Sequence, residues 1–135
     1  MMKNLNRKVA GMLAAVLMLI GCRGQGQPSQ EVYTVLAPEA FKAMMTSDTS
    51  ILLLDVRRPD EFEAGTIGRA VNVNVLEEES FTASMADRDR EQPVMLFCRS
   101  GRRSQRAARI LEDMGFKSII DLEGGYLAWE ESQEE

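Results

Sequence analysis

The sequence predicts an α/β domain with a mainly parallel central sheet flanked by helices on both faces. Two observations predict this fold class. From residue 32 onward, short apolar runs alternate with stretches of helical spacing. The runs 50–56 (SILLLDV) and 93–97 (PVMLF) are almost continuously apolar, which is typical of strands covered on both faces. The 135 residues suffice for one such domain with short extensions.

The first half of the domain contains three predicted strands and two helices. A strand near 33–36 precedes Pro38, which suits the first position of a helix continuing through 40–45. The strand 50–56 leads to a short helix that starts at 58–62, with carboxylates in its first turn. The alternation of valine and asparagine in 70–75 then predicts a further strand.

The second half continues the alternation. We predict a helix or turn at 77–86, a polar connector at 87–92, a strand at 93–97, a polar loop at 99–103, a helix at 104–114, a strand at 118–122 and a terminal helix carrying Trp129. Gly115 suits the end of the helix before it. Cys98 directly follows a predicted buried strand.

The first 21 residues are expected to be a leader and not part of the domain. Lys3, Arg7 and Lys8 precede an uncharged apolar run at 9–20, which is shorter than the roughly 20 residues that cross a bilayer. The run ends in Leu-Ile-Gly-Cys, which resembles the lipobox of bacterial lipoproteins. The resemblance implies a lipoprotein signal peptide at 1–21 and acylation of Cys22, palmitate included, which anchors the chain in a membrane. Ordinary secretion with cleavage elsewhere remains the alternative.

The expected location is therefore the cell envelope, with the domain outside the cytoplasm, on the periplasmic face where the host has two membranes. We expect a flexible tether at 22–31 and the domain at 32–133. Without the three basic residues of 1–21, 13 basic and 21 acidic groups leave a net charge of −8. This acidity argues against nucleic acid as a partner.

The chain has no histidine, which excludes a histidine general base, a histidine metal ligand and a Ser-His-Asp triad. Its two cysteines are Cys22 and Cys98, so acylation of the first leaves the second without an internal disulfide partner. In a parallel sheet, ligands bind beyond the carboxyl ends of the strands, where Cys98 is expected. Loop amides and a helix N-terminus there stabilise a thiolate. The alternative is an inert buried cysteine.

Arginines are concentrated around this cysteine. Positions 98–109 contain no carboxylate and hold five arginines, namely Arg99, Arg102, Arg103, Arg106 and Arg109. Such a local field favours an anionic substrate together with the thiolate. Residues 102, 106 and 109 share one helical face, so a merely solvated face remains the alternative for Arg106 and Arg109.

Three segments, in order, resemble the rhodanese family of sulfurtransferases. Residues 98–104 (CRSGRRS) match the family's active-site loop. Leu54-Asp55-Val56-Arg57, followed by Glu61-Phe62 and Gly65-Thr66-Ile67, is similar to its N-terminal signature, and Leu122-Glu123-Gly124-Gly125 with Ala128-Trp129 to its C-terminal one. The sequence departs from the family pattern at two places: the family often has histidine in place of Thr66, and proline-glycine in place of Gly68-Arg69.

The resemblance implies a rhodanese-like fold, Cys98 as the nucleophile, and a persulfide made from a small anionic donor such as thiosulfate. Sulfur then passes to a thiol, to cyanide or to a protein acceptor. The substrate-binding residues are expected to be those of the loop, namely Arg99, Ser100, Gly101, Arg102, Arg103 and Ser104. Asp55 and Arg57 are expected to support the site, with Arg103 bracing the loop against a carboxylate such as Asp55. We expect no cofactor and no metal ion.

Two alternatives differ in chemistry. A related phosphatase family places five residues between cysteine and arginine, whereas only four separate Cys98 from Arg103, which favours sulfur over phosphate. The second alternative is a persulfide carrier that serves a partner protein and turns over simple donors poorly. The sequence does not separate this carrier from a sulfurtransferase.

Overall fold

A computed structural model of the chain describes residues 29–135. The predicted leader, Cys22 and most of the predicted tether lie outside these residues. The described part contains five strands, namely β1 (Tyr33–Leu36), β2 (Leu52–Asp55), β3 (Val71–Asn72), β4 (Val94–Phe97) and β5 (Ile119–Leu122). It also contains five helices, namely α1 (Pro38–Ser47), α2 (Pro59–Ala64), α3 (Glu78–Met85), α4 (Arg102–Asp113) and α5 (Gly125–Gln133).

The five strands form one parallel sheet in the order β1-β5-β4-β2-β3. The three central strands have no exposed residue, as expected for strands covered on both faces. All strands run the same way, so their carboxyl ends meet at one edge. The α/β prediction with a parallel central sheet is confirmed.

Two hydrophobic clusters lie on opposite faces of the sheet, because successive side chains of a strand point to opposite sides. One face packs against α3 and α4, through Phe81 and Leu111 among others. The other packs against α1 and α5, where Phe41 meets Trp129 edge to face at 6.5 Å. Helices therefore cover both faces, as predicted.

Three boundaries differ from the sequence prediction. Helix α4 begins at Arg102, two residues earlier than predicted, because Gly101 adopts a φ of 111° and turns the chain directly into the helix. Strand β3 contains only two residues of the predicted 70–75, since its ladder with β2 ends at Asn72. Helix α1 begins at Pro38 as predicted, but it ends at Ser47, two residues beyond the predicted stretch. Within 29–135, every helix is too short or too polar to cross a membrane.

Candidate active site

Cys98 follows the last residue of β4 and lies in the middle of the sheet's carboxyl edge, between the ends of β2 and β5. Its side chain is buried, with 1% of the residue exposed. The backbone N–H of Gly101 donates a hydrogen bond to Sγ at 3.0 Å. The thiol in turn donates to Oγ of Ser104 at 3.5 Å. The sulfur thus contacts both a loop amide and the first turn of α4.

The start of α4 faces this sulfur. The N–H groups of a first helical turn have no acceptor within the helix, and they carry the positive end of the helix dipole. Gly101 precedes Arg102, and Gln105 makes the first intrahelical bond back to the Gly101 carbonyl at 3.4 Å. Local geometry of this kind stabilises an anion, whether a thiolate or a persulfide.

The Gly124-Gly125 turn fastens the loop from the other side. The N–H of Tyr126 donates to the Cys98 carbonyl at 2.8 Å, and the N–H of Leu127 donates to the Arg99 carbonyl at 3.1 Å. A Cβ on Gly125 would lie 2.6 Å from the backbone atoms of Cys98 and Arg99, and its φ is +63°. Only glycine permits this approach, so the C-terminal motif positions the cysteine loop through the backbone.

Arg103 braces the loop, but its partner differs from the predicted one. Its guanidinium makes a two-pronged ion pair with Glu61 of α2, at 2.6 and 2.8 Å. The predicted pairing of Arg103 with Asp55 was wrong. Asp55 is already paired with Arg57, and the start of α2 brings Glu61 nearer to Arg103. The hydrogen bonds from Arg103 lower the pKa of Glu61 to about 2.

Asp55 and Arg57 form a buried pair at the end of β2. The Arg57 side chain donates to both carboxylate oxygens at 2.9 and 2.7 Å, and its guanidinium also lies 4.2 Å from the Tyr126 ring centroid. Thr66 adds a hydrogen bond to Asp55 at 2.8 Å. Thus Thr66, one of the two departures from the family pattern, supplies a polar contact of its own to this buried carboxylate.

The second departure, Gly68-Arg69, supplies contacts as well. Arg69 donates to the carbonyls of Met45, Asp48 and Ile51 at 2.8 to 3.2 Å. These bonds satisfy carbonyl groups at the end of α1 and after it. This arginine therefore holds the turn against α1.

The remaining arginines differ in their partners. Arg106 pairs with Glu78 at 2.5 Å on the surface, consistent with a solvated helical face. Arg99 and Arg102 are exposed beside the Cys98 loop and form no ion pair within the described residues. Arg109 is likewise exposed on α4. Positive charge around the sulfur thus remains available to an anion mainly at Arg99 and Arg102.

Sequence reasoning missed a buried polar network behind the cysteine. Asp121 of β5 is 2% exposed, and it accepts hydrogen bonds from the Ser104 hydroxyl at 3.1 Å and from the Tyr33 hydroxyl at 2.6 Å. Burial raises the pKa of Asp121 above its usual range, although these hydrogen bonds oppose the rise. A lone aspartate in the apolar run 118–122 was the signal that could have found it.

A buried free cysteine at a helix start on the carboxyl edge of a parallel sheet is the feature that places this chain among α/β proteins. Comparison with known families specifies the class. Residues 37–132 match the model of the rhodanese-like domain, so the chain belongs to the rhodanese-like domain family. Some relatives of this chain are named thiosulfate sulfurtransferases.

Relatives agree with this assignment. The chain is 39% identical over 94 residues to a Schizosaccharomyces pombe protein provisionally named a mitochondrial thiosulfate sulfurtransferase, which covers 62% of this chain and 66% of the relative. It is 36% identical over 91 residues to a Bacillus subtilis protein provisionally named a sulfur carrier protein, covering 67% of this chain and 48% of the relative. The chain thus spans less than two thirds of the length of each of these relatives.

Solved structures show the same fold. The structure of the human single-domain sulfurtransferase is similar, with a TM-score of 0.62 and 27% identity, covering 72% of this chain and 95% of that one. A rhodanese-related protein from Thermoplasma volcanium has a TM-score of 0.63 and 26% identity, covering 74% of this chain and 93% of its own.

Proposed function

We propose that this protein moves sulfane sulfur from a small anionic donor such as thiosulfate to a thiophilic acceptor through a persulfide on Cys98. The Cys98 thiolate attacks the outer sulfur of thiosulfate, the S–S bond of the donor breaks, and sulfite leaves. The acceptor then attacks the outer sulfur of the persulfide. That step breaks the Cys98 S–S bond, transfers the sulfur and restores the thiolate.

The observation that carries this proposal is the surroundings of the sulfur. The Gly101 N–H points at Sγ from 3.0 Å, and the first turn of α4 adds its positive end. An added sulfur would bear the negative charge, so donors arranged around the anion stabilise the intermediate. Arg99 and Arg102 supply positive charge at the surface, where the oxyanion of a donor arrives.

The position of Arg103 supports sulfur over phosphate as cargo. Its guanidinium is directed to Glu61 by two hydrogen bonds, so it is not free to hold a phosphate beside the nucleophile. This agrees with the four-residue spacing from Cys98. The loop at 98–104 consequently suits one extra sulfur atom on Cys98 better than a tetrahedral phosphate.

Intact mass spectrometry tests the intermediate. The fragment 23–135, which contains every described element, is incubated with thiosulfate and freed of excess reagent. We expect a gain equal to one sulfur atom, and no gain in Cys98→Ser. An unchanged mass of the native fragment would refute the persulfide.

A carrier acting with a partner protein is the second candidate, and the likeness to a relative provisionally named a sulfur carrier favours it. Steady-state production of thiocyanate from thiosulfate and cyanide separates the two. Turnover well above the Cys98→Ser background supports the sulfurtransferase. A retained persulfide with background turnover supports the carrier.

The exposed arginines provide a test of the anionic donor. Arg99→Gln and Arg102→Gln are each expected to raise the KM for thiosulfate about three- to tenfold while changing kcat less, because they remove attraction to the donor. Arg88→Gln is the control, since it removes one exposed charge before β4, at the opposite edge of the sheet. An equal rise in all three variants would indicate only a loss of net charge.

We also propose that Cys22 carries lipid and anchors the domain at the cell envelope outside the cytoplasm. The support is the sequence alone, namely the basic start, the apolar run and the Leu-Ile-Gly-Cys ending. Expressed in a bacterium fed labelled palmitate, the native chain should take up label and sediment with membranes. Cys22→Ser should do neither, whereas Cys98→Ser should behave as native. A labelled Cys22→Ser chain would refute the proposal.

A further inference from the structure

The inference concerns how Cys98 loses its proton in a chain without histidine, and it rests on the proposed function. A continuous chain of hydrogen bonds leads from the sulfur into the core. Sγ contacts the Ser104 hydroxyl at 3.5 Å, that hydroxyl lies 3.1 Å from Oδ2 of Asp121, and Tyr33 donates to the same oxygen at 2.6 Å. Cys98, Ser104 and Asp121 are each at least 98% buried.

Ser104 has a single hydroxyl proton and three acceptors within reach. They are Oδ2 of Asp121, Sγ of Cys98 and the carbonyl of Gly101 at 3.1 Å. While Cys98 is a thiol, its S–H donates to Ser104, and Ser104 can donate to the carboxylate. When Cys98 is a thiolate, the Ser104 proton is drawn to the sulfur, and Asp121 loses that donor.

Asp121 lacks the partner that usually accompanies a buried carboxylate. Within residues 29–135, no ion pair includes it, and its Oδ1 is buried without a hydrogen-bond partner of good geometry. A buried negative charge without a cation is costly, so the neutral carboxyl is favoured. Burial raises the pKa of Asp121 for this reason.

Other charged groups face this network from each neighbouring element. Tyr33 lies on β1, Cys98 follows β4, and Arg109 and Glu112 of α4 act on Tyr33 with opposite signs. Arg102 and Glu123 line a cavity of about 320 Å³ that also borders Tyr33 and Asp121. These neighbouring groups carry charges of both signs, and the hydrogen bonds through Ser104 link Asp121 directly to Cys98.

We propose that Asp121 is a positioning residue that accepts the Cys98 proton through Ser104, so that the two groups share one negative charge. The S–H bond breaks, Oγ of Ser104 takes that proton, and Ser104 gives its own hydroxyl proton to Oδ2. The charge moves from carboxylate to sulfur, and no other reactant is needed. The resulting thiolate is held by the Gly101 N–H and the Ser104 O–H.

The test follows the thiolate across pH before any sulfur donor is added. The full chain carrying Cys22→Ser has Cys98 as its only thiol. Its ultraviolet thiolate absorbance and its alkylation rate by iodoacetamide are measured between pH 4 and pH 10. A shared charge predicts two steps, because coupled groups titrate as a pair.

Substitutions at Asp121 and Ser104 identify the group that titrates together with Cys98. Asp121→Asn should leave a single step, at lower pH than the upper step of the native chain, because the neighbouring charge is gone. Ser104→Ala should also lose the lower step. Asp113→Asn, an exposed change on α4, should keep both steps. A single step in the native chain, or two steps in Asp121→Asn, would overturn the proposal.

A second measurement does not depend on the folding of Asp121→Asn. The infrared band of the protonated carboxyl should persist to higher pH in the native chain than in Cys98→Ser, because only the native chain returns a proton to Asp121. Equal persistence in both would overturn the proposal. Both experiments omit thiosulfate, so failed persulfide formation would leave their results unchanged and would count against the proposed function alone.

Discussion

The two strands that flank the cysteine strand each contribute a buried aspartate, and the two carboxylates are held in opposite ways. Asp55 of β2 is 0% exposed and lies against the guanidinium of Arg57. Asp121 of β5 is 2% exposed and accepts side-chain hydrogen bonds from the hydroxyl groups of Tyr33 and Ser104. The side of Cys98 next to β2, here the β2 flank, is therefore held by an ion pair. The side next to β5, here the β5 flank, can exchange a proton with Cys98.

The two carboxylates differ because they lie on opposite faces of the sheet. Asp55 follows Leu53 by two residues, so it shares the face of α1 and α5. Asp121 follows Ile119 by two residues, so it shares the face of α4 and of Cys98. Only the second carboxylate can reach the sulfur through the first turn of α4.

The largest effect is expected when the ion pair of the β2 flank is broken. Asp55→Ala leaves the Arg57 guanidinium buried without its partner and should reduce the free energy of unfolding by about 3–5 kcal/mol. Asp121→Asn, which leaves no charge behind, should change it by less than about 1 kcal/mol. Urea denaturation of both variants measures the difference. Similar losses in the two would contradict the comparison.

A backbone change on the β5 flank comes next. Gly125→Ala should cost about 2–3 kcal/mol and most of the sulfur-transfer activity, because its Cβ meets the Cys98 carbonyl at 2.6 Å. Gly115→Ala is the matched control, with a φ of +95° and no atom within 4 Å of the added Cβ. It should cost about 1 kcal/mol and spare activity. Thermal unfolding and thiocyanate production provide the readouts.

A smaller effect is expected at the ion pair that braces the loop. Glu61→Gln should cost about 1 kcal/mol, since it breaks a partly buried two-pronged pair with Arg103. The exposed pair gives the control, because Glu78→Gln should cost less than about 0.5 kcal/mol. Double-mutant cycles with Arg103→Gln and Arg106→Gln isolate the two pair energies. Equal coupling energies would contradict the prediction.

The pH dependence of that pair has a definite sign. The pKa of Glu61 is lowered from 4.5 to about 2. Its contribution to stability is therefore complete above about pH 4.5 and is lost as the pH falls towards 2. The stability difference between the native chain and Glu61→Gln should shrink across this range, as acid titration of unfolding would show.

The smallest expected effect is the pH dependence of the stability that Asp121 contributes, and it has the opposite sign. Its pKa is raised above 3.8, so its contribution is complete below about pH 3.8 and declines as the pH rises through the raised value. The native chain should lose stability relative to Asp121→Asn as the pH rises through this range. A difference that grows in favour of the native chain would contradict the raised pKa.

Much of this molecule follows from the sequence alone. Hydrophobic periodicity determined the α/β class and the parallel sheet, because a strand buried on both faces must be apolar throughout. It also placed Cys98 at a strand end, followed by glycine and arginines. Local chemistry was enough for this, since residues 97–104 are neighbours along the chain. The start of α4 was predicted two residues too late, because it depends on the conformation of Gly101.

Only the tertiary structure decided which distant groups meet. Arg103 pairs with Glu61, which lies 42 positions away along the chain, and Tyr33 donates to Asp121, which lies 88 positions away. Such contacts depend on strand order and register, which periodicity does not encode: placing β5 between β1 and β4 brings Asp121 beside both Tyr33 and Ser104. The sequence thus determined where the cysteine lies, and the packing of the sheet decided which carboxylate lies behind it.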